Sequence, residues 1–195
     1  MGRPKAWLPF GPETMAARIA RIVRSAVGGP IVVVGAPGQD VPPLPVEVLH
    51  AVDEREGRGP LEGLQAGLKL IAQKFGGACN AVFATSCDAP LLRPELVQYV
   101  AESLEGFDAT TPQTAGFFHP LTAAYRVDAV LPKVVEMLAA DCLRPARLFD
   151  VVRTRILEET ELRAVDPELD SFRNLNTPDD YADALRRAGF DSAQQ

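Results

Sequence analysis

Apolar residues along this chain alternate between short β-type runs and longer stretches at helical spacing. Thr14 to Val27 carries Met15, Ile19, Ile22, Val23 and Val27 at intervals that predict a helix with one buried stripe. Pro30 ends it, and the fully apolar run 31–34 that follows suits a strand covered on both faces. A second β-type run spans 46–52. Leu64, Leu68 and Ile71 then mark a helix over 61–75, stopped by Gly76 and Gly77. A third strand is expected over 81–85. Pro94 opens the next helix at a first-turn position, with Leu96, Val97, Val100 and Leu104 on its buried side. Strands over 108–111, 121–125 and 152–157, and helices over 128–140, 144–151 and 179–188, complete the pattern. Thr177 caps the last helix, and Asp179 and Asp180 complement its dipole. Strand and helix in alternation predict an α/β three-layer sandwich around a mostly parallel central sheet. Ligands of such sheets bind at the carboxyl ends of the strands.

The 195 residues form one expected domain, 1–195, with 47% hydrophobic residues, enough to build a core without disulfides or metal staples. Twenty basic against twenty-six acidic residues give a net charge of −6, with the cations scattered, which argues against nucleic-acid binding. No apolar run approaches the roughly 18 residues of a membrane span, and the first ten residues hold no signal-peptide core. Cys79, Cys87 and Cys142 form no metal-spaced pair and read as reduced cysteines of a cytoplasmic protein.

Several polar clusters could carry chemistry. Arg3 and Lys5 could hold phosphates, although a solvated terminus carries the same residues. The segment 53–61, from Asp53 through Gly59, Pro60 and Leu61, joins a strand to a helix whose N-terminus favours anions. A plain solvated turn fits its spacing equally. Asp88 stands at the end of an apolar strand, where a carboxylate is costly unless it holds a cation or caps the backbone. With substrate phosphates it could hold Mg²⁺. Cys87 reads as packing rather than nucleophile. His119 alone reads as structural, and Asn174 and Asn176 as turn and capping residues beside a helix start.

In order, these segments resemble the molybdenum cofactor guanylyltransferase family, with its Rossmann-like nucleotidyltransferase fold. The resemblance rests on 1–5 as the end of R-M-G-x-x-K, on Asp53 with the Gly-Pro-Leu-Glu-Gly run 59–63, and on the Cys-Asp-Ala-Pro run 87–90. It continues through His119-Pro120-Leu121, Leu143-Arg144-Pro145 and the Asn174 to Asp179 ending, to about residue 186. It implies transfer of GMP from GTP to molybdopterin-type molybdenum cofactor, with release of pyrophosphate. Lys5 and Asp88 would be catalytic, with Asp88 holding Mg²⁺. Arg3, Lys5, Asp53, Gly59, Pro60, Leu61 and Asp88 would face the nucleotide, and His119, Arg144, Asn174 and Asn176 the pterin. Transient contact with molybdoenzyme maturation proteins would follow from the same role. The alternatives are cytidylyl transfer to the same cofactor, since the opening reads Gly-Arg-Pro-Lys, and a GTP-binding protein without turnover. The family's first strand and Gly-rich loop would lie ahead of Met1, so a gap in the sheet and weak GTP binding are expected of this chain.

Overall fold

A computed structural model describes residues 4–44, 47–55 and 57–190. Its chain opens with a 3₁₀ turn, Lys5–Trp7, and a two-stranded hairpin, β1 (Pro9–Phe10) and β2 (Glu13–Thr14). Thr14 then caps α1 (Met15–Val27), its hydroxyl accepting from the Ala17 amide at 3.2 Å. Met15, Ile19, Ile22 and Val23 form the buried stripe, whereas Val27 lies past it, 39% exposed. β3 (Ile31–Gly35) and β4 (Val48–Val52) pair in parallel. Next come α2 (Pro60–Phe75), β5 (Ala81–Thr85) and α3 (Pro94–Glu102). β6 (Ala109–Thr114), β7 (Phe117–Phe118), β8 (Thr122–Arg126) and α4 (Val127–Ala139) follow. The chain closes with β9 (Thr154–Leu157), α5 (Glu159–Leu162) and α6 (Pro178–Arg187).

The layers follow from side-chain alternation. On β8, Ala123 and Tyr125 join α2 and α4 in one core, while Ala124 between them joins α1 and α3 in another. Helices therefore cover both faces of the sheet, as the sequence pattern predicts. The direction of the strands needs one amendment. β5, β6 and β9 run one way, but β8 runs against β5 and β6 and lies between them. Its residues look like a parallel strand in sequence because both faces are covered.

The sheet is in two pieces. Among the described residues β3 pairs only with β4, and β5 only with β8. A cavity of about 680 Å³ lies against both β3 and β5, with α1 and α2 also in its walls.

The stretch 144–151 corrects the sequence expectation. It forms a 3₁₀ helix, Pro145–Asp150, rather than an α-helix, and buries only Leu148 and Phe149. The hairpins β1–β2 and β6–β7 and the single turn of α5 carried too few periodic positions to be expected.

A third, smaller core sets the position of the site. Phe10 is fully buried and packs with Met15, Leu91, Leu175, Ala184 and Leu185. Its ring meets those of Tyr181 and Phe190 edge to face. Gly11 is required here: its φ is +65°, and a Cβ would meet the Phe190 ring at 2.3 Å. The opening hairpin, the segment after Pro90, Leu175 and α6 are thereby packed together.

Candidate active site at the carboxyl ends of the strands

β5 delivers Ser86, Cys87 and Asp88 at its carboxyl end. The Asp88 carboxylate accepts from the Ser86 hydroxyl at 2.5 Å through Oδ1, and from Lys5 Nζ at 3.1 Å through Oδ2. Lys5 also donates to Asn176 Oδ1 at 3.0 Å. The Asp88 carbonyl accepts from the Leu175 amide at 2.9 Å, so backbone as well as side chains joins the two segments. Lys5, Asp88 and Asn176, 171 positions apart at the extremes, meet because the third core holds their three segments.

Asn176 is fixed from behind. Asp180 accepts from the amides of Asn176 and Thr177 at 3.0 and 2.8 Å, and Thr177 caps α6 by accepting from the Asp180 amide. Those bonds hold the Asp180 carboxyl below the usual range. Ahead of it, the fully buried Asp166 accepts from the amides of Asp170 and Ser171 and pairs with Arg93 Nε at 3.1 Å. Ser171 in turn accepts from the Arg93 amide, so the start of α3 and the segment leading to Asn176 are pinned together.

Asp53 follows β4, its amide donating to the Gly35 carbonyl at 3.1 Å. Its Oδ1 is buried with no hydrogen-bond partner among the described residues, and burial, then the charge of Glu62, pushes its carboxyl up. A Cβ on Gly63 would stand 3.5 Å from this oxygen. Gly59 (φ +75°) and Pro60 open α2 beside it, with first-turn amides that have no helical partner. Arg58 crosses to α4, donating to the Leu138 carbonyl at 2.6 Å and to Asp141, and braces this turn.

The expected site residues divide accordingly. Lys5 and Asp88 are in contact, and Gly59 and Pro60 start a helix as the spacing implied. Arg3 lies outside the described residues. The Leu61 side chain is wholly buried in the core, leaving only its backbone to face a ligand. Asn176 accepts from Lys5, which joins it to the Asp88 cluster. Asn174 is exposed two residues before it. His119 lies under this end of the chain, 2.6 Å from Thr114 Oγ1 and stacked at a tilt on Phe172, with burial pushing its imidazole pKa down. Arg144 is exposed and opens the 3₁₀ helix 145–150; no bond joins it to the Lys5–Asp88 cluster among the described residues. Burial, then the charge of Asp88, pushes the Cys87 thiol pKa up, which disfavours the thiolate. Ser86, Asp166 and Asp180 went unread as site residues. Ser86 precedes an obvious carboxylate by two positions, which was its available signal.

Chemically, the cluster offers one cation and one partly exposed carboxylate at a loop-lined strand end. No group of three or more His, Cys, Asp or Glu among the described residues could cage a metal alone. Asp88 fits a shared magnesium site nonetheless: each oxygen has a single partner and therefore lone pairs to spare. Mg²⁺ is commonly held by one or two carboxylates together with water and substrate phosphates. The orphaned Asp53 oxygen is a second hard donor at the carboxyl end of β4.

Residues 1–155 match the family model described as the MobA-like NTP transferase domain. A probable molybdenum cofactor guanylyltransferase of Pelotomaculum thermopropionicum is 31% identical over 188 residues, 94% of this chain and 85% of that one. The molybdenum cofactor guanylyltransferase of Rhodobacter capsulatus is 32% identical over 187 residues, 96% of this chain and 89% of its own length. Among solved structures, molybdopterin-guanine dinucleotide biosynthesis protein A from Archaeoglobus fulgidus superposes with a TM-score of 0.74. At 19% identity, covering 96% of this chain and 92% of that one, it supports the fold.

Proposed function

The chain belongs to the MobA-like NTP transferase family, and on that premise we propose that it transfers GMP from GTP to the phosphate of a molybdopterin-type cofactor, releasing pyrophosphate. The observation that carries this reading is the Lys5–Asp88 pair at the carboxyl end of β5, coupled to Asn176. It unites three segments that carry the resemblance to the family in sequence. A phosphate oxygen of the acceptor forms a bond to the α-phosphorus of GTP, and the bond to the β-phosphate oxygen breaks. The acceptor is already an anion, so alignment and charge neutralisation are the main demands on the protein.

Before nucleotide arrives, Lys5 and Asp88 neutralise each other. Lys5 would bind the triphosphate as a point charge, beside the carboxylate of Asp88. Asp88 would hold Mg²⁺, which when bound supplies neutralisation of phosphate charge, and Asp53 would face the nucleotide. The first turn of α2 offers amides to an anion. Asn176 keeps the Lys5 ammonium aimed at the carboxyl end of β5. His119, Asn174 and Arg144 supply the polar groups for the pterin, and the reaction has a cytoplasmic setting in this reading. No helix among the described residues is long and apolar enough to cross a membrane.

Calorimetric titration with Mg²⁺ present tests the base preference. GTP is expected to bind at least about tenfold more tightly than CTP, a difference of about 1.4 kcal/mol. Tighter binding of CTP would replace the guanylyl reading with cytidylyl transfer.

A further inference from the structure

The carboxyl end of β3 carries a polar group that comes from outside the strand. Gly35 ends β3 without a side chain, and its carbonyl accepts from the Asp53 amide. The chain then turns through Ala36-Pro37-Gly38-Gln39. Proline in the second position and Gly38 at φ +72° in the third meet the demands of a type II turn, closed by the Gln39 amide donating to the Ala36 carbonyl at 3.1 Å. The turn folds the Gln39 side chain back onto Gly35. Its Oε1 accepts from the Ala36 amide at 3.0 Å and would lie 3.3 Å from a Cβ placed on Gly35. A side chain at 35 would crowd it, so the glycine leaves room for the glutamine amide. One residue on, the Asp40 carbonyl accepts from Trp7 Nε1 at 3.1 Å, which ties the turn to the segment carrying Lys5.

That anchoring sets the polarity of the amide. A backbone N–H only donates, so the oxygen of Gln39 faces Ala36. The Nε2 group, which has no acceptor among the described residues, is the end left for a ligand. Gln39 is exposed and lines the cavity between β3 and β5, as do Gly35, Pro60 and Ser86. The two strands end on the same side of the molecule: Gly63, in the first turn of α2, lies against Val34, and α2 leads back to the start of β5. Opposite Ser86 and Asp88, Gln39 is therefore the polar side chain on the β3 side, where Val34, Gly35 and Pro60 offer none. A guanine base presents two acceptors, O6 and N7, along one edge. Adenine carries an amino group in place of that oxygen, and cytosine presents an amino group on the corresponding edge. A fixed NH₂ donor suits the first base and meets the other two donor to donor.

We propose that Gln39 reads the base of the bound nucleotide, its Nε2 donating to the 6-keto oxygen of guanine and disfavouring bases with an amino group in that place. This deepens the guanylyl-transfer reading and rests on it for the presence of a nucleotide at this end of the sheet. The type II turn and the Trp7 bond hold the side chain ready, which spares the cost of ordering a free glutamine on binding.

The test is calorimetric titration, with Mg²⁺, of GTP, ITP, ATP and inorganic tripolyphosphate into the native chain, Gln39→Glu and Gln39→Leu. Glutamate keeps an oxygen for the Ala36 amide and turns the outward donor into an acceptor. In Gln39→Glu, GTP and ITP, which share the 6-keto oxygen, are expected to weaken by about tenfold or more, with ATP held or tightened and tripolyphosphate unchanged. Gln39→Leu removes the donor without adding charge, and is expected to weaken GTP by about threefold or more while leaving tripolyphosphate unchanged. GTP affinity unchanged in Gln39→Glu, or GTP, ATP and tripolyphosphate weakened alike, would overturn the assignment and leave the transfer reading standing. A native chain that binds ATP or CTP as tightly as GTP would overturn both.

Discussion

Ser86 touches Asp88, and in the proposed reaction it would act through that carboxylate, an effect that is separable. Its hydroxyl occupies Oδ1 at 2.5 Å while Lys5 takes Oδ2, so the carboxylate is held from both sides. Ser86→Ala leaves Asp88 in place and lets it rotate. Loss of such a supporting bond typically weakens metal affinity by about 10–100-fold, and Mn²⁺ titration followed by magnetic resonance measures this without turnover. Unchanged affinity would assign the hydroxyl to local packing. His119 yields a prediction in pH. Burial lowers its pKa in the folded chain, so below the ordinary value of about 6.5 the unfolded chain binds the additional proton. Stability contributed by this residue is therefore present above that pH and falls as the medium acidifies through it. His119→Gln should flatten the loss of melting temperature between pH 7 and 5 relative to the native chain. A parallel loss in both would show that other groups set the acid limit.

At the level of elements, the segment 166–180 is a strap held at both ends. Asp166 satisfies two backbone amides and Arg93, Leu175 is buried and bonds the Asp88 carbonyl, and the Thr177–Asp180 box closes the far end. Asp166→Ala strands the Asp170 and Ser171 amides and is expected to cost roughly 2–4 kcal/mol, measured by urea unfolding. A cost within surface-mutation range would mean the strap is held by Leu175 alone. The capping half of this strap was legible, since Thr177, Pro178 and two acidic residues spell a helix start. Its link to Lys5 was not. That Asn176 reaches Lys5 depends on the packing of Phe10, Leu91, Leu175 and Leu185, contacts between distant segments that no local period encodes. Similarly, the strands over 31–35 and 81–85 stand out as apolar runs, and α1 and α2 by their stripes. The direction of β8 is a tertiary fact, because Thr122 to Arg126 would be equally apolar in either orientation. The short hairpin β6–β7 was missed for lack of length, and the 3₁₀ helix 145–150 was overread because Leu148 and Phe149 mimic part of a helical stripe.

Taken whole, the molecule is two helix-covered sheet pieces with polar chemistry at their carboxyl ends, and Leu61 marks the boundary between scaffold and site. Its side chain belongs to the core, while Gly59 and Pro60, two residues and one residue earlier, are exposed at the first turn of α2. Family motifs name runs of residues, but folding divides each run between packing and ligand contact. The central claim is that the Asp88 cluster serves guanylyl transfer. The most direct measurement is pyrophosphate release from GTP with Mg²⁺ and molybdopterin-type cofactor, comparing the native chain with Asp88→Ala. Release that requires GTP and the cofactor, and falls by about 10³-fold or more in Asp88→Ala while the fold is retained, is expected. Release undiminished in Asp88→Ala, or obtained with CTP and not with GTP, would contradict it.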